Sequence, residues 1–452
     1  MVIASIDVRN GKVVQLRQGA ELVLERDDPA ELAAEFDKYG EVALIDLDAA
    51  MGKGTNLEML KPLLRKVECR VGGGIRTPEQ ARELISLGAV KIITGSGAFR
   101  DPAKKGAGAA GEEFAVNAAF LDAMAKKIGR ERMIVAVDAR RGADGSYGIV
   151  VDGWKTATGL ELIEAAKAVE PYAAELLFTC VDREGTMGGI DLEIVKRLRE
   201  SVSCAVTVAG GVSTMEEIGA IADLDCDVQL GMALYTGKIS LADAFIRSLN
   251  WKKITGIGCS AEVRDASAKI QNAALIPVIA QSTDGQVLMT GFADREALAE
   301  TFKRQCLCFH SRSRNRLWIK GETSGNTLRL KRLRADCDRD AILAVVEPAG
   351  PVCHTGAWSC FGQNRRYTLE FLQSVIDERF KNPRPGSYTA TLDDELVREK
   401  VLEEAEELCA AGDRGEIIWE AADLLYFTTA LITRAGVTVQ EVLDELDGRH
   451  KK

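Results

Sequence analysis

Three passages of this chain are written twice, in the same order and at nearly the same spacing. SIDVRNGKVV around Asp7 answers to AVDARRGADG around Asp138, LIDLDAAMGKGTNLEML to LFTCVDREGTMGGIDLEIV, and VGGGIRTPEQ to VAGGVSTMEE. The offsets run from 131 to 137 residues, which is the trace a half-domain copied once leaves behind. Across residues 1–250 short apolar runs alternate with amphipathic stretches: IASIDV, EVALIDLD, CRVGGGI, VKIITGS, MIVAVDA, AELLFTCVD, AVTVAGGV, VQLGMAL. Eight βα units of this kind require a parallel sheet with helices outside it, and eight strands close a (β/α)8 barrel.

Function in such barrels sits where strands end and loops begin. Asp7 and Asp138 end the first and fifth predicted strands, so the repeat sets two carboxylates across one mouth. A pair of this type divides acid and base roles when its surroundings push the two pKa values apart, whereas the plainer alternative is that both only cap turns. Histidine is no substitute, because none precedes position 310. The glycines repeat as well: Gly72-Gly73-Gly74 with Gly95-Ser96-Gly97 in one half, Gly210-Gly211 with Gly231 in the other. Glycine lets backbone N–H groups close on a phosphate, and a helix start adds a favourable dipole. Gly73, Gly74, Arg76, Gly95 and Ser96 would form one phosphate grip and Gly210, Gly211 and Gly231 a second, implying a substrate phosphorylated at both ends.

On IDVRNGKVVQLRQG, VGGGIRT, the DGW of 152–154 and the REGT of 183–186, residues 1 to about 248 resemble the histidine-biosynthesis isomerases. These convert ProFAR, a bis-phosphorylated aminoaldose, to its aminoketose by an Amadori rearrangement. The resemblance implies that Asp7 is the general base, Asp138 the general acid that opens the ribose ring, and Thr179 a supporting hydrogen-bond donor. Trp154 would stack on the substrate's carboxamide ring, or else simply fill a loop. The cyclase barrel of the same pathway is the second reading, which LIDLDAAMGKGTN fits less well. Two positions depart from the isomerase pattern: Glu184 stands where Asp is usual, and Met232 follows Gly231 where a basic residue is common.

WKKITGIGCSAEVRDASAKI fits neither barrel nor strand rhythm and reads as a connector over 251–271. A small, mostly β unit is expected next, over 272–364, opening with a hairpin, IPVIAQSTDGQVLMTGF, turned at Asp284-Gly285. Within DCDRD, Asp336, Asp338 and Asp340 alternate, so an extended chain would turn all three to one side, a donor set suited to Mg2+. Cys337 would point the other way, with Cys353 and Cys360 of CHTGAWSC as companions. Three thiolates with one open position make a catalytic zinc site; free core cysteines are the competing account. His354, one of only three histidines, stands beside Cys353 and could move a proton.

Joined to GETSGN, these features resemble phosphoribosyl-AMP cyclohydrolase. That likeness implies zinc on Cys337, Cys353 and Cys360, magnesium on the three Asp, acid/base work for His354, and a homodimer whose subunits share each zinc site. Arg312, Arg314, Lys320, Glu322 and Ser324 would contact substrate.

After Arg366 the apolar period becomes helical, in four stretches broken at NPRPG and GDRG, so an all-α unit is expected over 367–452. Glu403 and Glu407 lie one turn apart, Glu404 and Glu407 nearly so, and Glu420 and Asp423 share a face within the apolar IIWEAADLLYF. Carboxylates there are costly unless cations meet them, which points to Mg2+ between helices, although acidic faces are often only solvated. With SYTATL and Lys400 ahead of it, the pattern resembles phosphoribosyl-ATP pyrophosphohydrolase, and Lys400 would then bind phosphate. Phe427 stands where that family often has His.

A net charge of −10 speaks against a nucleic-acid surface. Eleven cysteines without a disulfide-like rhythm, no apolar run near 20 residues and no leader before MVIASIDVRNG are expected of a cytoplasmic protein with neither membrane nor nucleic-acid partners. Phosphoribosyl nucleotides are the expected substrates. A rival account keeps the barrel as an inactive binding or dimerisation module beside two working hydrolases.

Overall fold

The computed structural model describes residues 1–99, 114–254, 274–362 and 364–450. They fall into two compact units, Met1–Gln281 with Leu288–Val352, and Ser282–Val287 with Cys353–Lys452.

In the first unit eight parallel strands close a barrel: Val2–Arg9, Val42–Asp46, Cys69–Gly72, Lys91–Thr94, Met133–Ala136, Glu175–Thr179, Ala205–Ala209 and Asp227–Leu230. Closure comes from the last strand pairing with the first, Val228 opposite Val2 and Leu230 opposite Ala4. Strands covered on both faces must be apolar on both. Alternate residues accordingly divide: Leu44, Val71, Ile92, Val135, Phe178 and Val208 join the layer under the helices, while Ile45, Ile93, Ile134, Ala136, Leu177 and Ala209 fill the interior.

The repeated letters become repeated structure. After the third and seventh strands come the helices Pro78–Ser86 and Met215–Asp223, each opened by a capping box. Thr77 Oγ1 accepts from the N–H of Gln80 at 3.2 Å, and Thr214 Oγ1 from the N–H of Glu217 at 3.2 Å. T-x-x-Q and T-x-x-E thus start a helix at the same step of each half.

Where the strands begin, the barrel floor is ionic. Arg70, wholly buried, binds Glu41 at 2.8 Å and also Glu175, and Lys91 bridges the same two carboxylates at 3.2 and 3.0 Å.

A four-stranded sheet is seated on this floor, with strand order Val287–Ala293, Ile276–Ser282, Ile342–Pro348, Leu328–Ala335. Its helix Arg295–Arg304 sends Phe302 between Tyr39 and Phe245, with ring centroids at 4.5 and 5.5 Å. Arg332 reaches Asp37 at 3.1 Å and Glu68 at 2.9 Å. The barrel mouth, at the other ends of the strands, faces away from this contact. Of the expected connector, Trp251–Ile254 is a short helix, and 255–271 lie outside the described residues.

The second unit carries four helices, Leu369–Lys381, Asp394–Ala410, Arg414–Arg434 and Val439–His450. Leu372, Ile376, Leu392, Val397, Phe427 and Ala430 form their core. The break at GDRG is a cap: Asp413 Oδ1 accepts from the N–H of Gly415 at 2.6 Å and of Glu416 at 3.0 Å. Leu402, Ile418 and Trp419 remain exposed. Among the described residues no helix is long and apolar enough to cross a membrane.

Candidate active sites

The barrel mouth encloses a cavity of about 280 Å³. Its lining includes Asp7, Asp138, Thr179, Trp154, Glu184, and both glycine sets: Gly73, Gly74, Arg76, Gly95 and Ser96, then Gly210, Gly211 and Gly231. Every barrel residue singled out in the sequence therefore meets at one place. The glycines are needed sterically as well. Gly73 has φ 103°, and a Cβ there would lie 2.1 Å from the carbonyl oxygen of Asp46; Gly210 has φ 91°, with Cys180's carbonyl 2.6 Å away. The two halves use glycine for the same close passage of loop past strand.

Three carboxylates share this cavity, and their surroundings separate them. Burial pushes Asp7 up to about 6, opposed by Ser5, whose hydroxyl donates to Asp7 Oδ1 at 2.8 Å. Burial also raises Asp138, opposed by hydrogen bonds from Thr179 and from the Trp154 indole, which donates to Asp138 Oδ2 at 2.9 Å. Glu184 goes furthest: burial, then repulsion from Asp7 and Asp138, pushes it up to about 8. Around neutral pH the surroundings thus push Asp7 and Glu184 apart, Asp7 toward the ionised form and Glu184 toward the protonated one. Trp154 stands at φ 69° in a left-handed run with Asp152 and Gly153, and its ring occupies the space that Gly19 leaves open, so it bonds Asp138 directly as well as filling the loop.

Sequence reasoning noted Glu184 only as a departure and missed Ser5. Ser5 was legible: two residues before Asp7 on one strand, it must share Asp7's face. Glu184's role was not, because it depends on how near the other two carboxylates come.

In the β domain the three Asp do gather, with carboxylate oxygens within 4.8 Å of one another. The expected reason was wrong, since residues 336–340 form a turn and not an extended run. Asp336 Oδ1 accepts from the N–H groups of Asp340 at 2.9 Å and Ala341 at 3.0 Å, folding the segment back on itself. Arg312 lies over the Phe292 ring at 3.9 Å, Lys320 is buried beside Trp318, Glu322 faces Arg316 at 3.9 Å, and Ser324 Oγ accepts from the N–H of Asn326; Arg314 is exposed. One pairing went unnoticed in the sequence: His310 Nδ1 lies 2.7 Å from Asp294 Oδ2.

Cys337 belongs to the first unit, Cys353 and Cys360 to the second. Cys337 and Cys360 are exposed and Cys353 is partly so, unlike the buried Cys69, Cys180, Cys204, Cys226 and Cys308, which removes the core-cysteine account. Within the second unit Thr355 Oγ1 donates to Cys353 Sγ at 3.1 Å, and this bond, helped by Cys360, lowers the Cys353 thiol toward thiolate. His354 Nδ1 is 3.8 Å from the same sulfur. Thiolate character and access are what metal binding asks of a cysteine.

On the helices Glu404, Glu407 and Glu420 bring carboxylate oxygens within 4.8 Å of one another. Burial, then repulsion from Asp423 and Glu407, raises Glu404; burial, then Glu407, raises Glu420. Like charges held this close fit a divalent cation. Glu403 instead pairs with Lys400 at 2.6 Å, so the helix splits the expected set. Phe427 is buried with its ring edge against Tyr388 and Tyr426.

Comparison with known proteins fits these arrangements. The family model described as Histidine biosynthesis protein matches residues 1–240, over half the chain. The chain belongs to the histidine biosynthesis protein family. In this histidine biosynthesis protein two more family models follow in order, Phosphoribosyl-AMP cyclohydrolase over 289–362 and Phosphoribosyl-ATP pyrophosphohydrolase over 369–450. Three pathway segments are fused in one polypeptide. The barrel part is similar to a 1-(5-phosphoribosyl)-5-((5-phosphoribosylamino)methylideneamino) imidazole-4-carboxamide isomerase of Methanocaldococcus jannaschii, 36% identical over 251 residues, covering 54% of this chain and 97% of the relative. The remainder is similar to the Histidine biosynthesis bifunctional protein HisIE of Pyrococcus furiosus, 40% identical over 224 residues, covering 46% of this chain and 99% of the relative. The protein of the same name from Vibrio cholerae is 41% identical over 190 residues, covering 39% of this chain and 90% of the relative.

Proposed function

We propose that this enzyme carries out three steps of histidine synthesis in reverse chain order. The helical segment hydrolyses phosphoribosyl-ATP to phosphoribosyl-AMP and pyrophosphate. The cyclohydrolase segment opens the adenine ring of phosphoribosyl-AMP to give ProFAR, and the barrel isomerises ProFAR to PRFAR. The observation that carries the barrel step is the single cavity in which Asp7, Asp138, Thr179 and Glu184 meet between two glycine grips. An inactive barrel is not favoured, because a merely structural mouth has no use for carboxylates poised around neutrality.

In the barrel, backbone N–H groups at Gly73–Gly74 and Gly210–Gly211 take the two phosphates, fixing the ribose between the carboxylates. Asp138, whose carboxyl burial raises against the hydrogen bonds from Thr179 and Trp154, protonates the ring oxygen and opens the ribose. Asp7, ionised at neutral pH, then takes the proton from the carbon next to the protonated imine to give an enaminol, whose hydroxyl loses its proton as the former imine carbon gains one, leaving the aminoketose.

For the cyclohydrolase step the zinc set proposed is Cys337, Cys353 and Cys360. Held by these three thiolates, zinc would supply a hydroxide nucleophile at neutral pH. His354 moves the proton. Magnesium is assigned to Asp336, Asp338 and Asp340, and on the helices to Glu404, Glu407, Glu420 and Asp423, which would orient a diphosphate; Lys400 would release Glu403 to meet phosphate. We assign a homodimer, supported by exposed Leu402, Ile418 and Trp419, and a reducing cytoplasm, which suits exposed thiols.

The test is to supply phosphoribosyl-ATP with Mg2+ and Zn2+ and to identify each product. Pyrophosphate, then ProFAR, then PRFAR are expected. Arrest at ProFAR refutes the barrel step, and preferential hydrolysis of free nucleotides refutes the first.

A further inference from the structure

The turn at Asp336–Asp340 is not held by its own domain alone. At its apex Arg339 takes φ 62°, a left-handed backbone that an L side chain adopts only at some cost. Its side chain, 7% exposed, is what that backbone directs into the barrel. Nη1 donates to the carbonyl of Cys226 at 3.1 Å, and Nη2 to the carbonyl of Ala222 at 2.9 Å and to Asp225 Oδ1 at 3.1 Å. The barrel also reaches back. Asn250, just past its last long helix, donates its N–H to the Arg339 carbonyl at 2.8 Å and its Nδ2 to the Asp338 carbonyl at 3.4 Å. Three residues on, Lys253 sets its ammonium against both Asp338 and Asp340, 2.6 Å from the latter.

Main chain, apex side chain and two of the three clustered carboxylates are therefore engaged by residues from the barrel end. A cation entering the cluster meets an ammonium already there. Three carboxylates left alone would offer it a charge of −3, and with Lys253 in place they offer −2.

We propose that the isomerase barrel tunes the cation site of the cyclohydrolase: Arg339 and Asn250 are positioning residues that fix the turn, and Lys253 is a resident counter-ion that a divalent cation must displace. This rests on the assignment of the acidic turn as a cation site. It gives the fusion a consequence beyond shared length, since the affinity of one enzyme's cation is set by another's floor.

Mn2+ binding to the full-length chain, followed by electron paramagnetic resonance, tests it in a Glu404→Gln, Glu420→Gln background that silences the helical cluster. Lys253→Gln should tighten Mn2+ binding by about three- to tenfold, the scale of two solvent-screened ion pairs. Lys253→Arg should restore wild-type affinity. Arg339→Ala should weaken binding and speed amide exchange at Asp340 and Ala341, while barrel isomerisation at the opposite face is unchanged. Unaltered Mn2+ affinity in Lys253→Gln, with Asp338→Asn losing Mn2+, overturns the proposal. If Asp338→Asn itself leaves the titration unmoved, the cation-site assignment beneath it is what fails.

Discussion

Ser5→Ala isolates what one hydroxyl does to Asp7, the base proposed for the barrel. Ser5 donates to Asp7 Oδ1 at 2.8 Å, a bond that favours the ionised carboxylate and opposes the burial that lifts Asp7 to about 6. A hydrogen bond to a charged group contributes about 1.5 kcal/mol at the low end, and that amount moves a pKa by about one unit. The sign is upward, because the bond removed stabilised the charged form. Asp7 would then titrate near ~7, and the ascending limb of kcat/KM for isomerisation, which reports the free enzyme's base, would move with it. At pH 6 the wild-type base is about half ionised and the variant's about a tenth, so roughly a fivefold loss is expected there. At pH 7 the loss shrinks to about twofold, and above about pH 8 the two proteins converge. The assay is a pH profile of kcat/KM with ProFAR. An unmoved limb, or an equal loss at every pH, would refute the assignment of Asp7 as a base tuned by Ser5.

Arg70→Met strands Glu41 and Glu175 beside Lys91 alone, and breaking a buried ion cluster costs about 3–5 kcal/mol, measurable by urea unfolding of the full chain at pH 7. Charge pairing holds Glu175 down at about 2 against an ordinary 4.5, so its contribution is present above pH 4.5 and lost as pH falls through about 2; the variant's penalty should shrink on acidification, and a constant penalty would count against the cluster. Glu404→Gln should cut pyrophosphate release from phosphoribosyl-ATP to background while ring opening of supplied phosphoribosyl-AMP continues; loss of both would contradict separate sites. Cys353→Ala should abolish ring opening and lower bound zinc, whereas full activity with zinc unbound would remove zinc from the step.

The barrel was legible because its evidence is one-dimensional. Apolar runs recurring eight times, a half repeated at nearly constant offset, and T-x-x-Q after Gly72–Gly74 with T-x-x-E after Gly210–Gly211 all act through neighbours in the chain. The four C-terminal helices were legible for the same reason, through their apolar period and the Asp413 cap. The acidic turn shows the limit of such reasoning. Alternation correctly brought Asp336, Asp338 and Asp340 together, yet by way of a strand that is not there; the segment turns because Asp336 accepts two backbone N–H groups and Arg339 is drawn into the barrel.

What the residue order determined by itself is every choice made over a few residues: which runs become strands, where helices start, which glycines let a loop pass close to a strand. Tertiary structure alone decided the rest. It set Glu184 near Asp7 and Asp138, so that repulsion raises it to about 8; it split Glu403 from Glu404; and it gathered Arg70, Glu41, Glu175 and Lys91 into one floor. Electrostatic interaction depends on distance through space and on the water displaced, and separation along a chain specifies neither.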